Sequence, residues 1–294
     1  EDIKGEALAV PATHINPYLI DGPDLLITAQ KNAFPNVPPV SYGSFALDGG
    51  HFTINAEERA ELLSADPKAA DYLRPFIGGE EFLHSTPRWC LWLLNAPPAT
   101  LKSMPSVIKR IEAVRHWRTS RDRETTKKLA LTPTVFAEIR QPGTHYVAIP
   151  TVSSERRHFI PMGFLEPSIV ASNQLYIVPS ATLYHFGILS STMHNAWVRA
   201  VCGRLESRYR YSAAIVYNNF PWPDIPEKLE PNQPQTPAHK AQTAIEKAAQ
   251  AVLDARAQFP GSSLADLYDP LTMPPALLKA HQKLDAAVDA AYAL

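Results

Sequence analysis

The chain of 294 residues is 45% apolar and 19% charged, with 11 Tyr, 11 Phe and 5 Trp, a composition that excludes general disorder and is long enough for two separate cores. Its two cysteines, Cys90 and Cys202, lie outside any CxxC spacing, which argues against a disulfide framework or a thiolate zinc site and for a reducing cytoplasm. No apolar run is long enough to span a bilayer, and the opening EDIKGEALAV carries no signal-type stretch.

Residues 1–40 read as a linker or as the end of something upstream, closing on Pro38-Pro39. Asn55-Ala-Glu-Glu58 has the pattern of a capping box and opens a helix near 56–72 that Pro67 can interrupt. A second helix starts at Pro105, with Val107, Ile111 and Val114 on one face, and runs into Arg115, Arg118, Arg121, Arg123, Lys127 and Lys128. From 134 to 186 the pattern changes to short β-type runs, TVFAEI, HYVAIP, HFIPMGF and QLYIVP, and these predict the sheet. A helix is expected after Gly187, with Leu189, Met193 and Trp197 on one face and an end near Gly203; AAIVYNNF then reads as a further strand. The proline-rich segment PWPDIPEKLEPNQPQTP marks a boundary. Beyond it, helices starting at Thr236-Pro237 and at Pro274-Pro275 predict an antiparallel pair.

Several enzymatic classes lack their residues. No metal-binding histidine spacing, nucleophile elbow, P-loop or GxGxxG occurs, and the NPP-aromatic loop that holds a flipped base is absent; Asn95-Ala-Pro-Pro98 lacks its first proline and its aromatic. What remains is charge. Residues 1–86 hold 5 basic and 13 acidic groups (−8), 87–210 hold 17 and 7 (+10), and 211–294 hold 6 and 9 (−3), within a net −1. A positive middle suits a polyanion, because phosphate contacts supply most non-specific nucleic-acid affinity; a solvated face is the bland alternative.

Val152-Ser-Ser-Glu-Arg-Arg157 sets Ser153, Ser154, Glu155, Arg156 and Arg157 beside a strand. Arg can bond guanine O6 and N7, Glu can accept from cytosine N4, and Ser serves bases or phosphates; a structural ion cluster is the competing reading. Asn173 and His194 are further candidate base readers, His194 on the polar side of a helix start where capping competes. Arg199, Arg204, Arg208 and Arg210, interleaved with Tyr209 and Tyr211, form a basic-aromatic run suited to phosphates, and Arg140 joins the candidate DNA contacts. Phosphate grips are expected from Arg156, Arg157, Arg199, Arg204 and Arg208.

Ile15-Asn-Pro-Tyr-Leu19, Asp48-Gly-Gly50, Arg74-Pro-Phe-Ile-Gly-Gly-Glu-Glu-Phe82, Arg88-Trp-Cys-Leu-Trp92, Tyr209-Arg-Tyr-Ser212, Asn218-Asn-Phe-Pro-Trp-Pro223 and Leu267-Tyr-Asp-Pro-Leu-Thr-Met-Pro274 carry a likeness that takes in the whole chain. Together they make it resemble the C-terminal third of MmeI-like type IIL restriction–modification proteins. The resemblance implies that 1–40 descend from the end of a methyltransferase domain, 41–224 form a target-recognition domain and 225–294 a helical C-terminal domain. It implies an α+β fold, a mixed sheet with flanking helices followed by a small helical unit. Double-stranded DNA and the upstream methyltransferase domain of the same polypeptide are the implied partners. S-adenosylmethionine and Mg2+ belong, on that likeness, to the parent chain, and no cofactor is expected in this segment. The expected role is sequence-specific recognition that places an adenine in an upstream methyltransferase pocket. The rival is a non-enzymatic scaffold whose helical tail and acidic first segment bind a partner.

Overall fold

The computed structural model describes residues 11–17, 19, 21–24, 26–224 and 236–293; the first ten residues of the expected linker and positions 225–235 of the proline-rich boundary lie outside the described residues. The segment after residue 26 is tied to a distant part of the chain. Gln30 N–H donates to Ala214 O, the side chains of Asn218 and Asn219 donate to Gln30 O and Thr28 O, and Tyr217 Oη donates to Pro38 O. These anchors come from AAIVYNNF, which is not a strand: Ala213–Tyr217 is one π-helical turn, with Val216, Tyr217 and Phe220 buried. A short apolar run has no periodicity to separate strand from buried turn.

The first lobe begins after β1 (Ser41–Tyr42) with β2 (Thr53–Ile54) and α1 (Ala56–Ala65), whose capping box on Asn55 and Glu58 forms as expected. Pro67 closes that helix, and a 3-10 segment, Pro67–Tyr72, leads into β3 (Leu73–Ile77). After α2 (Gly79–His84), β4 (Trp89–Leu91) and α3 (Pro98–Lys102) comes α4 (Pro105–Thr119). Met104 offers α4 no capping oxygen. The buried Asp66 carboxylate takes the role instead, accepting from Ser106 N–H at 2.6 Å and Val107 N–H at 3.1 Å, across 40 residues of sequence. Val107, Ile111 and Val114 pack into this lobe's core as their spacing predicts, and α5 (Glu124–Lys128) follows. TVFAEI forms no strand. It is a loop that touches Phe45 through a single bridge at Glu138, and it places Phe136 among Phe52, Phe76 and Trp92.

The second lobe is built on β5 (Tyr146–Pro150), β6 (Val152–Ser153), β7 (Gly163–Leu165) and β9 (Leu175–Pro179), while β8 (Val170–Ala171), between β7 and β9 in sequence, pairs with β3 in the sheet of the first lobe. HYVAIP and QLYIVP pair antiparallel over five residues, Tyr146 opposite Pro179 through Pro150 opposite Leu175, at the centre of the order β1-β9-β5-β7. HFIPMGF contributes only its end to a strand, while Phe159, Ile160 and Met162 fill the core. The helix expected after Gly187 starts earlier and is broken: α6 (Leu183–Ser190) contains Gly187, and Ser191, in extended conformation, ends it and caps α7 (Thr192–Val201) by accepting from His194 N–H. Gly187 sits against the helical tail, where a Cβ would come within 2.8 Å of Ile245 Cγ2.

A hairpin, β10 (Gly203–Leu205) and β11 (Arg208–Arg210), adds to β6 in a three-stranded sheet. Finally α8 (Pro237–Ala257), α9 (Leu264–Leu267) and α10 (Pro275–Tyr292) close the chain. Ile245, Ala249, Val252, Leu277, Leu284 and Val288 join the core of the second lobe. Burial of such side chains contributes about 1.5–3 kcal/mol each, so the tail is a structural part of the sheet lobe. A buried polar knot fixes it: Arg256 Nε donates to Tyr268 Oη at 2.7 Å, Arg256 Nη1 to Met162 O at 2.6 Å, and Tyr268 Oη meets His281 Nε2 at 2.8 Å.

Candidate nucleic-acid interface

The turn Ser172–Gln174 joins β8, in the first-lobe sheet parallel to β3, to β9, in the second-lobe sheet. It therefore sits where the two sheets meet. The chain after β1 runs beside it: Ser44 N–H donates to Ala171 O at 2.8 Å, and Gly43 is so close that a Cβ there would lie 2.4 Å from Ser172 O. Only glycine fits such a contact with a backbone oxygen.

Two clefts flank this turn and share Phe45 and Asn173 as walls. The larger, about 670 Å3, is lined by Tyr42, Glu138, Arg140, Thr151, Leu205 and Arg210 as well. Arg140 is held by its backbone N–H donating to Ser44 Oγ and by an ion pair with Glu138, leaving a guanidinium that is about one-third exposed. The smaller, about 330 Å3, is lined also by Asp48, Arg88, Trp117 and Gln174. Asn173 is exposed, and its side chain makes no hydrogen bond with the described residues.

The β10–β11 hairpin forms the rim of the larger cleft. Tyr209 faces inward opposite Ser153, so Arg208 and Arg210 on either side of it face out. Arg204 lies over the Tyr209 ring at 4.2 Å and donates to Arg199 O and Ser207 O, which holds its guanidinium flat on the hairpin. The bend at Glu206 (φ 57°) brings its carboxylate 2.7 Å from Arg208 Nη2. Glu155 accepts from Ser207 Oγ at 3.0 Å; its own backbone N–H and that hydroxyl hold its carboxyl below the usual range. Arg156 is exposed, with Ser154 Oγ accepting from its backbone N–H.

The structure thus brings Arg140, Asn173 and Arg210 to one cleft, with Arg204 and Arg208 on the hairpin beside it and Ser154, Glu155 and Arg156 in the loop after β6, which meets the hairpin bend through Glu155 and Ser207. It places others differently. Ser153 is on the inward side of β6 and 3% exposed, because it pairs with the buried Tyr209. His194 has no exposed surface: the break at Ser191 turns α7 so that its ring meets Tyr211 Oη at 3.1 Å and the Phe220 ring at 4.8 Å, and burial pulls its pKa to about 3. Neither side chain reaches a surface, and both leave the set of direct contacts. Arg199 donates to Arg157 O and His158 O and braces the loop from behind, while burial lowers the Arg157 pKa against the opposing pull of Asp269. Sequence reasoning passed over Tyr42, Phe45, Glu138, Gln174 and Trp117, of which only Gln174, next to Asn173 before a strand, carried a local signal.

Among the described residues no three His, Cys, Asp or Glu side chains gather as a metal site, and no helix is long and apolar enough to cross a membrane. The sequence model of the MmeI target recognition domain matches residues 21–224. The chain belongs to this family. The model of the MmeI C-terminal domain matches the helical part, residues 237–294. The target recognition domain and its tail are 36% identical over 280 residues to DNA methyltransferase A of Bacillus subtilis (strain 168), covering 95% of this chain and 30% of that protein. A solved structure of the type IIL restriction–modification enzyme MmeI in complex with DNA superposes with a TM-score of 0.89 at 47% identity, covering 98% of this chain and 37% of that one. The chain spans about a third of the length of the relatives it matches.

Proposed function

We infer that this target recognition domain reads the sequence of double-stranded DNA, as the specificity segment of a longer DNA adenine methyltransferase or restriction–modification protein. The observation that carries the reading is the cleft at the sheet junction, where Arg140, Asn173 and Arg210 converge beneath a two-stranded ribbon edged with arginines. A two-stranded ribbon fits the major groove, and the groups beside it match what base edges display: guanidinium donors for guanine, an amide donor and acceptor for adenine, and a carboxylate, Glu155, for the cytosine amino group. Arg156, Arg204 and Arg208 then serve phosphates and fix register. Ser154, in the loop after β6, carries a hydroxyl that can serve either. The two readings of this chain separate on the tail, because the apolar faces of α8 and α10 are already buried in the chain's own core and are not offered to a partner. S-adenosylmethionine chemistry falls to the methyltransferase domain upstream in the polypeptide, which is the second partner of this segment.

The test is made in the longer protein. Asn173→Asp turns the amide donor into an acceptor and leaves the methyl-transfer machinery untouched, so the methylated motif, read by long-read sequencing of host DNA, should change. A wrong base pair costs about 1–3 kcal/mol, enough to redirect modification. Asn173→Asp and Arg210→Gln that only lower the extent of methylation at an unchanged motif would remove the cleft as the reading site.

A further inference from the structure

The smaller cleft ends at Trp117, and beyond it lies a basic corner that the cleft chemistry does not use. The end of α4, the loop after it and α5 present Arg115, Arg121, Arg123, Lys127 and Lys128, all exposed, against Asp122 and Glu124. Lys127 is paired with Glu124 at 2.6 Å. Among the described residues Arg115, Arg121, Arg123 and Lys128 form no ion pair. Arg121 lies over the Trp117 ring at 4.5 Å, so its charge stands at the rim of the cleft that contains Asn173 and Gln174.

The corner is rigidly mounted. Arg118, one turn from Arg121, is completely buried and donates to five carbonyls: Ala46, Leu47, Leu129, Thr132 and Val135. It thereby binds the end of α4 to residues 46–47, which line the small cleft, and to the segment that follows α5. A positive surface held at a fixed distance from a base-reading cleft can engage only what continues in register with those bases, and in duplex DNA that is the sugar–phosphate backbone.

Resting on the reading of the cleft above, we propose that Arg121, Arg123 and Lys128, with Arg115, grip the phosphates of duplex DNA flanking the recognised sequence, adding affinity and salt dependence without sequence information. The cleft and the hairpin reach the bases; the corner reaches the backbone beyond them.

The test compares the chain with the triple variant Arg121→Gln, Arg123→Gln, Lys128→Gln on two duplexes carrying the same recognised motif, one confined to the motif and one extended on both sides. Fluorescence anisotropy is followed over a salt series, and a circular dichroism melt confirms folding. Each phosphate contact contributes about 0.9 to the slope of log K against log salt, so three lost contacts should lower it by about 2–3 on the extended duplex and leave it unchanged on the short one. Arg121→Lys with Arg123→Lys, which keeps the charge, should retain the slope. Equal slopes for wild type and triple variant on the extended duplex overturn the proposal, as does an equal loss on both lengths, which would put the corner at the bases. Wild-type chain that binds neither duplex at low salt overturns the reading of the cleft together with this proposal; binding that is lost in Arg204→Ala with Arg208→Ala but kept in the triple variant with the wild-type affinity and salt slope on the extended duplex overturns the proposal alone.

Discussion

Replacing Arg118 by Met tests whether one buried cation holds the face together. Its guanidinium has no exposed surface and donates to five backbone carbonyls at 2.8–3.0 Å, the closest being Val135 O at 2.8 Å. Hydrogen bonds from a charged group contribute about 1.5–3 kcal/mol each, and five taken independently would far exceed what one side chain supplies in a marginally stable protein. Two effects reduce the sum: burial disfavours the charged guanidinium, which lowers the Arg118 pKa, and the nearby Asp48 only partly opposes it. Met fills much of the volume but takes a donor from all five carbonyls: Ala46, Leu129 and Thr132 O keep a backbone N–H, while Leu47 and Val135 O are left without a donor among the described residues, so the net loss should be about 3–5 kcal/mol, comparable with breaking a buried charge pair. At about 2–4 °C per kcal/mol for a chain of this order of size, the melting temperature falls by roughly 10 °C. Arg118→Lys, with three donors and no planar fork, should recover less than half. Urea denaturation followed by circular dichroism measures both. A loss under about 1 kcal/mol for Arg118→Met would show that water replaces the guanidinium without penalty, and the argument for a rigid corner would fail with it.

Further outcomes follow from the same contacts. His194 and His281 are buried neutral, each with its pKa pulled from the ordinary 6.5 to about 3, and His185 to about 4, all mainly by burial. The unfolded chain then binds more protons than the folded one below pH 6.5, so stability is fully present above that pH and falls as acid is added, by up to about 1.4 kcal/mol per pH unit per histidine between 6.5 and 5. Urea midpoints over that range, repeated on His194→Gln, should show a shallower slope in the variant; an unchanged slope places the effect elsewhere. Gly43→Ala forces a Cβ to 2.4 Å from Ser172 O and should destabilise the chain by about 1–3 kcal/mol while weakening DNA affinity, since the turn carrying Asn173 must move. A neutral substitution in both assays would mean that the junction yields freely. Arg204→Ala, on an exposed strand, should change the melt by under about 1 kcal/mol yet weaken duplex binding in anisotropy, whereas a large drop in melting temperature would assign Arg204 to the hairpin's own stability.

Periodic and capped segments were legible from residues alone because their signals are local. The Asn55 capping box, the helix from Pro105, the paired strands at 146–150 and 175–179 and the two tail helices all carry their caps or spacing within a few residues. The family likeness was legible too, through short motifs spread over the chain, and the sequence models match the same span. The basic balance of residues 87–210 is legible in the same way, and by itself it suits a polyanion or a solvated face equally.

Placement needed the tertiary structure. Arg118 and Arg121 read as one basic run, yet one is buried on five carbonyls and the other stands exposed beside Trp117, a difference set by residues 46–47 and 129–135 folding over a single helix face. His194 reads as a polar helix-start residue, and its burial depends on the break at Ser191 and on Tyr211 and Phe220 arriving from later in the chain. The cleft itself has no sequence signature. It exists because β8 and β9, separated by a three-residue turn, join different sheets, so that Arg140, Asn173 and Arg210 meet at a seam. Capped and periodic patterns determine the helices and paired strands named above, but not the state of short apolar runs such as 134–139 and 213–220; long-range pairing decides those and which side chains face solvent together, because each depends on partners tens of residues away.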